Sequence, residues 1–311
     1  MLSLKEGTPI ARVVNSKIFK IKDGKSKYVG IVDDERESEA LPGYTVDPYY
    51  LISEDELEEE VGSRKISKTR KSMKTKIREG IINQKVGKEF VLNDGNLEPV
   101  PNIDVERDVF YVSGPSGSGK STFVANFLDN YCEIYPNNKI YMFSAVPTDP
   151  AFERFEDNGP KKTRGKMTRI ILDADYLLDI QGGEGLTVDD LKDSAVIFDD
   201  VDVIPDKKIH EHVIDLRSRC LEIGRHYKIT TCCTTHQLCN YKATKILLQE
   251  ATKVVVFPKS GSTYHIKRFL KEYCGMNQKQ IERVIQLPSR WVLVSKTYPQ
   301  YILYRDGVYL T

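Results

Sequence analysis

Residues 108–121 read DVFYVSGPSGSGKS, and this stretch decides the fold. Residues 109–112 form a short apolar run of the kind that makes a buried strand. Residues 114–121 then match the pattern G-x-x-x-x-G-K-[ST] (Walker A) at every fixed position, and apolar residues at helical spacing follow. Because glycine has no Cβ, backbone N–H groups can converge on an anion, and the N-terminus of the next helix adds partial positive charge. A strand, a glycine loop and a helix in this order predict a phosphate-binding loop.

The phosphate-binding loop predicts a role for its polar groups. We expect Lys120 to reach the β- and γ-phosphates of a nucleoside triphosphate, and the Ser121 hydroxyl to ligate Mg²⁺. No N-K-x-D motif, which reads guanine in GTPases, occurs in the chain. The predicted cofactors are therefore ATP and Mg²⁺. The residues expected to contact the nucleotide are Gly114, Pro115, Ser116, Gly117, Ser118, Gly119, Lys120, Ser121 and Thr122.

A second chemical signal is the run AVIFDD at residues 195–200. Four apolar residues followed by an acid are typical of a Walker B strand, which places a carboxylate at the carboxyl edge of a parallel sheet. Ligands bind at that edge in open α/β folds. We expect Asp199 to hold Mg²⁺, directly or through water, and Asp200 to orient and deprotonate the attacking water. Asp202 is the alternative base.

The strand predicted after the Walker B segment, residues 228–233, ends in Thr-Thr-His-Gln at residues 234–237. Such an ending can place the amide of Gln237 beside the γ-phosphate, where it would sense whether the phosphate is present. The alternative is the ordinary polarity of a turn at a strand end.

Strand and helix patterns alternate from residue 107 to residue 257, which predicts an α/β fold: a P-loop NTPase with a largely parallel sheet flanked by helices. We place a strand-rich and charged N-terminal segment with a linker at residues 1–100, and the ATPase domain at residues 101–311. The smaller predicted elements are a hairpin around Asp23 and Gly24, one short element in residues 81–107, a short helix at residues 187–194 after a flexible connection at residues 181–185, and a C-terminal extension of helices and a hairpin at residues 291–304.

Charge is concentrated in two blocks of the N-terminal segment. Residues 53–60 are mostly acidic, whereas residues 64–78 carry eight basic side chains and no acidic one. The basic block either contacts nucleic-acid phosphates, releasing counterions, or is a solvated linker.

Composition places the chain among ordinary globular proteins. Apolar residues make up 40% and charged residues 29%, and the net charge of +1 gives no overall field that would favour a polyanion. No apolar run reaches the length of a membrane span, and the N-terminus lacks the apolar core of a signal peptide. The six cysteines include no CxxC pair, which predicts reduced thiols and a reducing intracellular compartment.

Four segments together resemble a known family. They are GPSGSGKS (114–121), AVIFDDVD (195–202), EIGRHYKITTCCTTHQ (222–237) and LPSRWVLVSKTYPQYILY (287–304). In combination they are similar to the genome-packaging ATPases of nucleocytoplasmic large DNA viruses, which belong to the FtsK/HerA class of DNA-pumping motors. The resemblance covers roughly residues 105–305, and the first hundred residues lie outside it. Many members of the wider FtsK/HerA class carry Asp-Glu where this chain has Asp199-Asp200, and the viral branch of the family tolerates the shorter acid.

This resemblance implies DNA-stimulated ATP hydrolysis that moves double-stranded DNA into a capsid. It also implies a hexameric ring with ATP between subunits, capsid proteins as partners, and a location in the host cytoplasm or the virion. An arginine supplied to the γ-phosphate of the neighbouring subunit would stabilise the transition state. Arg225 is the first candidate for that role, followed by Arg219 and Arg217.

Three other functions fit parts of the sequence. A P-loop nucleotide or small-molecule kinase would need a basic lid, for which residues 154–169 are the candidate. Another nucleic-acid-dependent NTPase would share the same motifs. A scaffold with vestigial hydrolysis is disfavoured by the intact Lys120, Ser121 and Asp199.

Overall fold

The computed structural model describes residues 9–14, 17–22, 25–31, 89–92, 95–157, 159–160, 163–240 and 244–311. The chain divides into two compact units, Met1–Asn102 with Leu303–Leu310 and Ile103–Ile302 with Thr311. Two sequence predictions lie outside the described residues: the turn at Asp23 and Gly24, and the acidic and basic blocks between residues 53 and 78.

The helices and strands follow one another along the chain with short connections in the larger unit. The strands are β1 (Ala11–Val14), β2 (Lys17–Lys22), β3 (Lys25–Ile31), β4 (Glu89–Val91), β5 (Asn96–Pro99), β6 (Val109–Ser113), β7 (Lys139–Ser144), β8 (Met167–Ile171), β9 (Ser194–Asp199), β10 (Thr230–Thr235), β11 (Lys253–Val256), β12 (Val292–Ser295), β13 (Tyr301–Tyr304) and β14 (Gly307–Leu310). The α-helices are α1 (Lys120–Ile134), α2 (Ala174–Gly182), α3 (Lys207–Glu222), α4 (Lys245–Glu250), α5 (Thr263–Glu272) and α6 (Gln278–Gln286).

The smaller unit consists of antiparallel strand pairs. β2 pairs with β3 as the predicted hairpin, β1 pairs with β5, and β4 pairs with β14. The prediction of one short element in residues 81–107 was wrong, because both β4 and β5 lie there. These strands have only three and four residues, too few for an alternating pattern to stand out in the sequence.

The larger unit contains a mostly parallel sheet with the order β12-β11-β6-β10-β9-β7-β8. The six strands from β11 to β8 run parallel, and β12 lies antiparallel to β11. Every residue of β6, β10 and β11 is buried, as expected when helices cover a parallel sheet. This confirms the predicted α/β fold. β10 lies between β6 and β9, so the glycine loop after β6 and the acids after β9 flank its end.

The helices of the larger unit match the predicted amphipathic faces. In α3 the buried residues include Ile209, Val213, Leu216 and Cys220, which repeat at helical spacing. Its N-terminus is capped by Asp206, whose carboxylate accepts a hydrogen bond from the Ile209 N–H at 2.9 Å.

Two local predictions before β9 were wrong. Residues 187–193 form turns rather than a helix, because the Thr187 N–H and hydroxyl both bond to the Asp190 carboxylate and Asp193 has a positive φ of 51°. The segment predicted as a flexible connection from Gln181 overlaps the end of α2. That helix begins after Asp173, which caps its first turn.

Among the described residues, no helix is long and apolar enough to cross a membrane. All six cysteines are free thiols, and burial raises the pKa of Cys132 and Cys220 to about 12. Thiols in this state act as small apolar side chains.

Candidate active site

The glycine loop connects β6 to α1 at the carboxyl edge of the sheet. Gly119 precedes the first helical residue with a φ of 108°, and Gly117 has a φ of 71°, so both lie in a region that favours glycine. Gly114 is required for a different reason, because a Cβ there would stand 2.6 Å from Phe257 Cδ2 and 2.7 Å from Ser118 Oγ. The buried Ser118 hydroxyl has no hydrogen-bond partner among the described residues, which leaves a polar atom for a ligand at the loop.

Lys120 folds back across this loop. Its residue exposure is 7%, and Nζ donates to the Gly114 carbonyl at 3.2 Å. The same ammonium lies 3.5 Å from Asp200 Oδ2. The positive charge of Lys120 is thus held over the loop, on the side that faces the end of β9.

Asp199 lies at the end of β9 and is held by the two neighbouring strands. It is in register with Ser144 of β7 and Thr234 of β10, and the hydroxyls of these residues donate to its carboxylate at 3.2 Å and 2.7 Å. Burial raises the pKa of Asp199, and the hydrogen bond from Thr234 opposes that effect. The strand ends therefore fix the direction of this carboxylate.

Asp200 adopts a left-handed backbone conformation, with φ of 46° and ψ of 34°. Asp is one of the few residues other than glycine that enter this region readily. The Asp200 N–H donates to the Thr234 hydroxyl at 3.1 Å, and His236 Nε2 lies 3.1 Å from Asp200 Oδ2. Oδ1 is buried and has no partner among the described residues. The turn thus separates two adjacent carboxylates into different environments.

The alternative base, Asp202, is committed to another contact. Arg217 Nη1 donates to Asp202 Oδ1 at 2.8 Å, and Arg217 itself is only 3% exposed. A carboxylate oxygen bonded to a buried guanidinium is less free to turn toward an attacking water. Arg217, the third arginine considered for a role in trans, lies within this pair.

Gln237 lies in the turn after β10, and the buried Tyr111 hydroxyl supports that turn. Tyr111 donates to the carbonyls of Gln237 and Leu238, and burial raises its pKa. The Gln237 side chain is exposed, and its Oε1 accepts a hydrogen bond from Asn240 at 2.6 Å. The backbone of this turn is therefore fixed, while the amide reaches outward from it.

A cavity of about 430 Å³ opens beside this turn. Its lining comes from residues 113–115, from residues 236–240, and from residues 261–262 and 265–266. Its volume falls in the range of small-molecule sites.

Arg225 lies apart from the other predicted residues. It follows α3 and precedes β10, at the opposite edge of the sheet from the glycine loop. Its exposed side chain bonds to Glu106 at 2.9 Å. Because β10 spans about 20 Å, Arg225 cannot reach the loop of its own subunit.

The described residues fit a nucleotide with Mg²⁺. Among them, no group of three or more His, Cys, Asp or Glu side chains could hold a metal ion alone. Mg²⁺ in nucleotide sites needs only one or two protein oxygens, because phosphates and water supply the rest. Ser121 at the start of α1 and Asp199 are the oxygens available. The Ser118 hydroxyl and Asp200 Oδ1 are both buried without a hydrogen-bond partner among the described residues.

Sequence reasoning missed three members of this site: Ser144 and Thr234 on Asp199, and His236 on Asp200. All three lie at strand ends, and the first two are in register with Asp199. Their polarity at strand ends was visible in the sequence, but their partners depend on which strands are neighbours.

No family model matches this chain. A comparison of sequences does find a relative. The uncharacterized protein V3 of Sputnik virophage is 35% identical over 242 residues, covering 75% of this chain and 90% of that protein.

Solved structures are more distant. The genome packaging NTPase B204 from Sulfolobus turreted icosahedral virus 2, in complex with sulfate, is 12% identical with a TM-score of 0.42, over 65% of this chain and 97% of that one. EssC (ATPases 2 and 3) from Geobacillus thermodenitrificans is 12% identical with a TM-score of 0.44, and the match covers 72% of this chain and 44% of that one.

Proposed function

The protein belongs to the same family as protein V3 of Sputnik virophage, and we propose that it is a Mg²⁺-dependent ATPase that moves double-stranded DNA. The observation that carries the ATPase proposal is the meeting of Lys120 and Asp200 at 3.5 Å, beside Asp199. Glycine loop, lysine and paired carboxylates converge at the carboxyl edge of one parallel sheet, where α/β folds bind ligands.

The geometry divides the chemistry among these residues. Lys120 would bind the β- and γ-phosphates through its ammonium, while backbone N–H groups at the start of α1 would orient the triphosphate. Mg²⁺, held by Ser121 and Asp199, would neutralise charge that develops on the phosphate oxygens. Asp200 would orient the attacking water and accept its proton, and Gln237 would contact the γ-phosphate side from the turn after β10.

The acceptor we propose is water rather than a second substrate. A kinase would need the basic stretch at residues 154–169 as a mobile lid. Its arginines are instead bound within the fold: Arg154 contacts Asp129 at 2.8 Å, and Arg169 contacts Glu156 at 2.9 Å. Arg164 Nε donates to the Gly159 carbonyl at 3.0 Å. These contacts disfavour a kinase lid.

The DNA-moving part of the proposal rests on the motif set. The loop, the Asp-Asp strand end and the Thr-His-Gln strand end occur together in the packaging ATPases that the sequence resembles, and the relative at 35% identity comes from a virus. We propose that six copies form a ring, that the genome of a virus is the DNA, and that capsid proteins are partners. Arg225 of the neighbouring subunit would then contact the γ-phosphate, since it cannot act within its own.

The test is steady-state hydrolysis of ATP with and without double-stranded DNA, at low and moderate salt. We expect hydrolysis that depends on Mg²⁺ and is stimulated by DNA, with stimulation that falls as salt rises, because DNA binding releases counterions. A mass measurement with ATP and DNA present should detect rings. Hydrolysis indifferent to DNA would retain the ATPase and reject the motor, and a phosphorylated small molecule would support the kinase.

A further inference from the structure

Arg290 holds the outer side of the glycine loop. It lies between α6 and β12, and its Nε and Nη2 atoms each donate a hydrogen bond of 2.6 Å, to the carbonyls of Ser118 and Gly117 respectively. The guanidinium lies against Gly119, where a Cβ would stand 3.3 Å from Nε. One planar cation thus binds two consecutive peptide groups, a geometry that a guanidinium supports and an ammonium does not.

These contacts constrain the direction of the loop's donors. In a trans peptide the N–H points opposite to the C=O, so carbonyls held on the Arg290 side turn the next N–H groups to the other side. The Ser118 N–H closes a turn onto the Pro115 carbonyl at 3.1 Å. The Gly119 N–H follows it at the start of α1. Arg290 therefore constrains the peptide group that presents the Gly119 N–H to the ligand site, while the Ser118 N–H of the other peptide group is bonded within the loop.

The loop needs such a restraint because of its composition. Gly117 and Gly119 both have positive φ, and glycine has more backbone freedom to lose on ordering than any other residue. A Cβ at Gly117 would meet nothing within 4 Å, so side-chain packing does not confine the loop there. The loop is therefore confined there by hydrogen bonds to its carbonyls.

We propose that Arg290 is a positioning residue of the ATP site, which holds the loop in its phosphate-binding conformation and links it to the segment between α6 and β12. The inference rests on the proposed binding of ATP. Arg290 donates to loop carbonyls that are the same in ground and transition states, so its loss weakens ATP binding and raises KM, with little effect on kcat.

A spectroscopic signal is built into the same segment. Trp291, the chain's only tryptophan, lies with its ring 5.0 Å from that of Phe123 in α1. Its fluorescence therefore reports on the first turn of the helix that the loop begins. ATP titration followed by this fluorescence gives a dissociation constant without any need for turnover.

The experiment compares wild type with Arg290→Ala, Arg290→Lys and Arg268→Ala. Arg268 forms an ion pair with Glu272 on its own helix α5 and has no contact with the glycine loop among the described residues, which makes it a matched arginine control. For Arg290→Ala we expect the Kd and KM for ATP to rise about tenfold with kcat within about threefold, the scale of losing charge-assisted hydrogen bonds. For Arg290→Lys, whose ammonium can replace one of the two hydrogen bonds, we expect the Kd and KM for ATP to rise about threefold. Millimolar ethylguanidinium should lower the Kd of Arg290→Ala and leave the control unchanged.

Three outcomes would overturn the inference. Equal Kd values for Arg290→Ala and Arg268→Ala, with wild type binding ATP, would remove the role of Arg290 and leave the proposed function in place. No binding of ATP by wild type would overturn both. If Arg290→Ala does not fold, the Kd of Arg290→Lys decides, and a wild-type value there overturns the inference.

Discussion

The ammonium of Lys120 lies 3.5 Å from Oδ2 of Asp200, and His236 Nε2 approaches the same oxygen at 3.1 Å. One carboxylate oxygen thus joins the glycine loop to the turn after β10. Lys120 is also bonded to the Gly114 carbonyl. Under the proposed function, a phosphate group that enters the loop would take Lys120 as its partner, and Asp200 would keep its contact with His236.

We predict that Lys120→Ala reduces kcat for ATP by at least about a hundredfold, the scale of removing one preorganised charge from a transition state. The measurement is phosphate release at saturating ATP. Lys192→Ala is the matched control, because Lys192 is exposed in the turn before β9. Wild-type turnover in Lys120→Ala would sink the assignment of the loop.

Asp199 carries a prediction about stability as well as activity. Its folded-state pKa is raised above the ordinary 3.8, mainly by burial. A raised carboxyl pKa means that stability is fully present below the unfolded value and is lost as the pH rises through the folded value. At neutral pH the ionised Asp199 therefore destabilises the nucleotide-free protein, as functional groups often do.

Asp199→Asn should consequently raise the melting temperature of the nucleotide-free protein at pH 7.5, by about 2–4 °C for each kcal/mol gained. The gain should shrink as the pH falls through the raised pKa of the folded state, because the wild-type carboxyl takes up a proton there. Hydrolysis dependent on Mg²⁺ should be lost in the same variant. Thermal melts from pH 4 to pH 8 measure the first effect, and a variant less stable than wild type at pH 7.5 would contradict it.

The roles of Asp200 and Asp202 can be distinguished, because removing the charge of each should affect a different property of the protein. We predict that Asp200→Asn lowers kcat by about 10²–10⁴-fold, the range for general acid–base groups, while ATP binding stays within about threefold. Asp202→Asn should instead destabilise the fold by about 1–3 kcal/mol, because it weakens the partner of the buried Arg217. Melting curves and turnover on both variants make the comparison. If Asp200→Asn retains turnover and Asp202→Asn loses it, the base is Asp202.

The sequence was sufficient for the parts of the site that lie in contiguous stretches. The loop after β6 and the two acids after β9 follow from local patterns, since strand, turn and helix each have their own residue preferences. The fold class follows from the same alternation.

Other contacts depend on pairing between distant segments. Ser144 meets Asp199 only because β9 lies between β7 and β10. Arg290 reaches the carbonyls of Gly117 and Ser118 across more than 170 residues. β14 pairs with β4 across a longer separation, with Gly307 opposite Val91. Single residues at strand ends carry no signal that identifies such partners, because register and strand order are properties of the assembled sheet.

The glycines of the chain give a final prediction, based on steric differences rather than charge. Gly114→Ala would place a methyl group 2.6 Å from Phe257 Cδ2 and 2.7 Å from Ser118 Oγ, so the loop must shift. Overpacking of this kind costs about 1–3 kcal/mol, and we expect ATP affinity to fall about tenfold or more as the loop moves. Gly182→Ala is the control, because Gly182 lies in α2 and a Cβ there would meet nothing within 4 Å. We expect this substitution to raise the free energy of unfolding by about 0.4–1 kcal/mol. Melting temperature and ATP titration by Trp291 fluorescence measure both variants, and equal affinity in the two would show that the close contact at Gly114 does not shape the site.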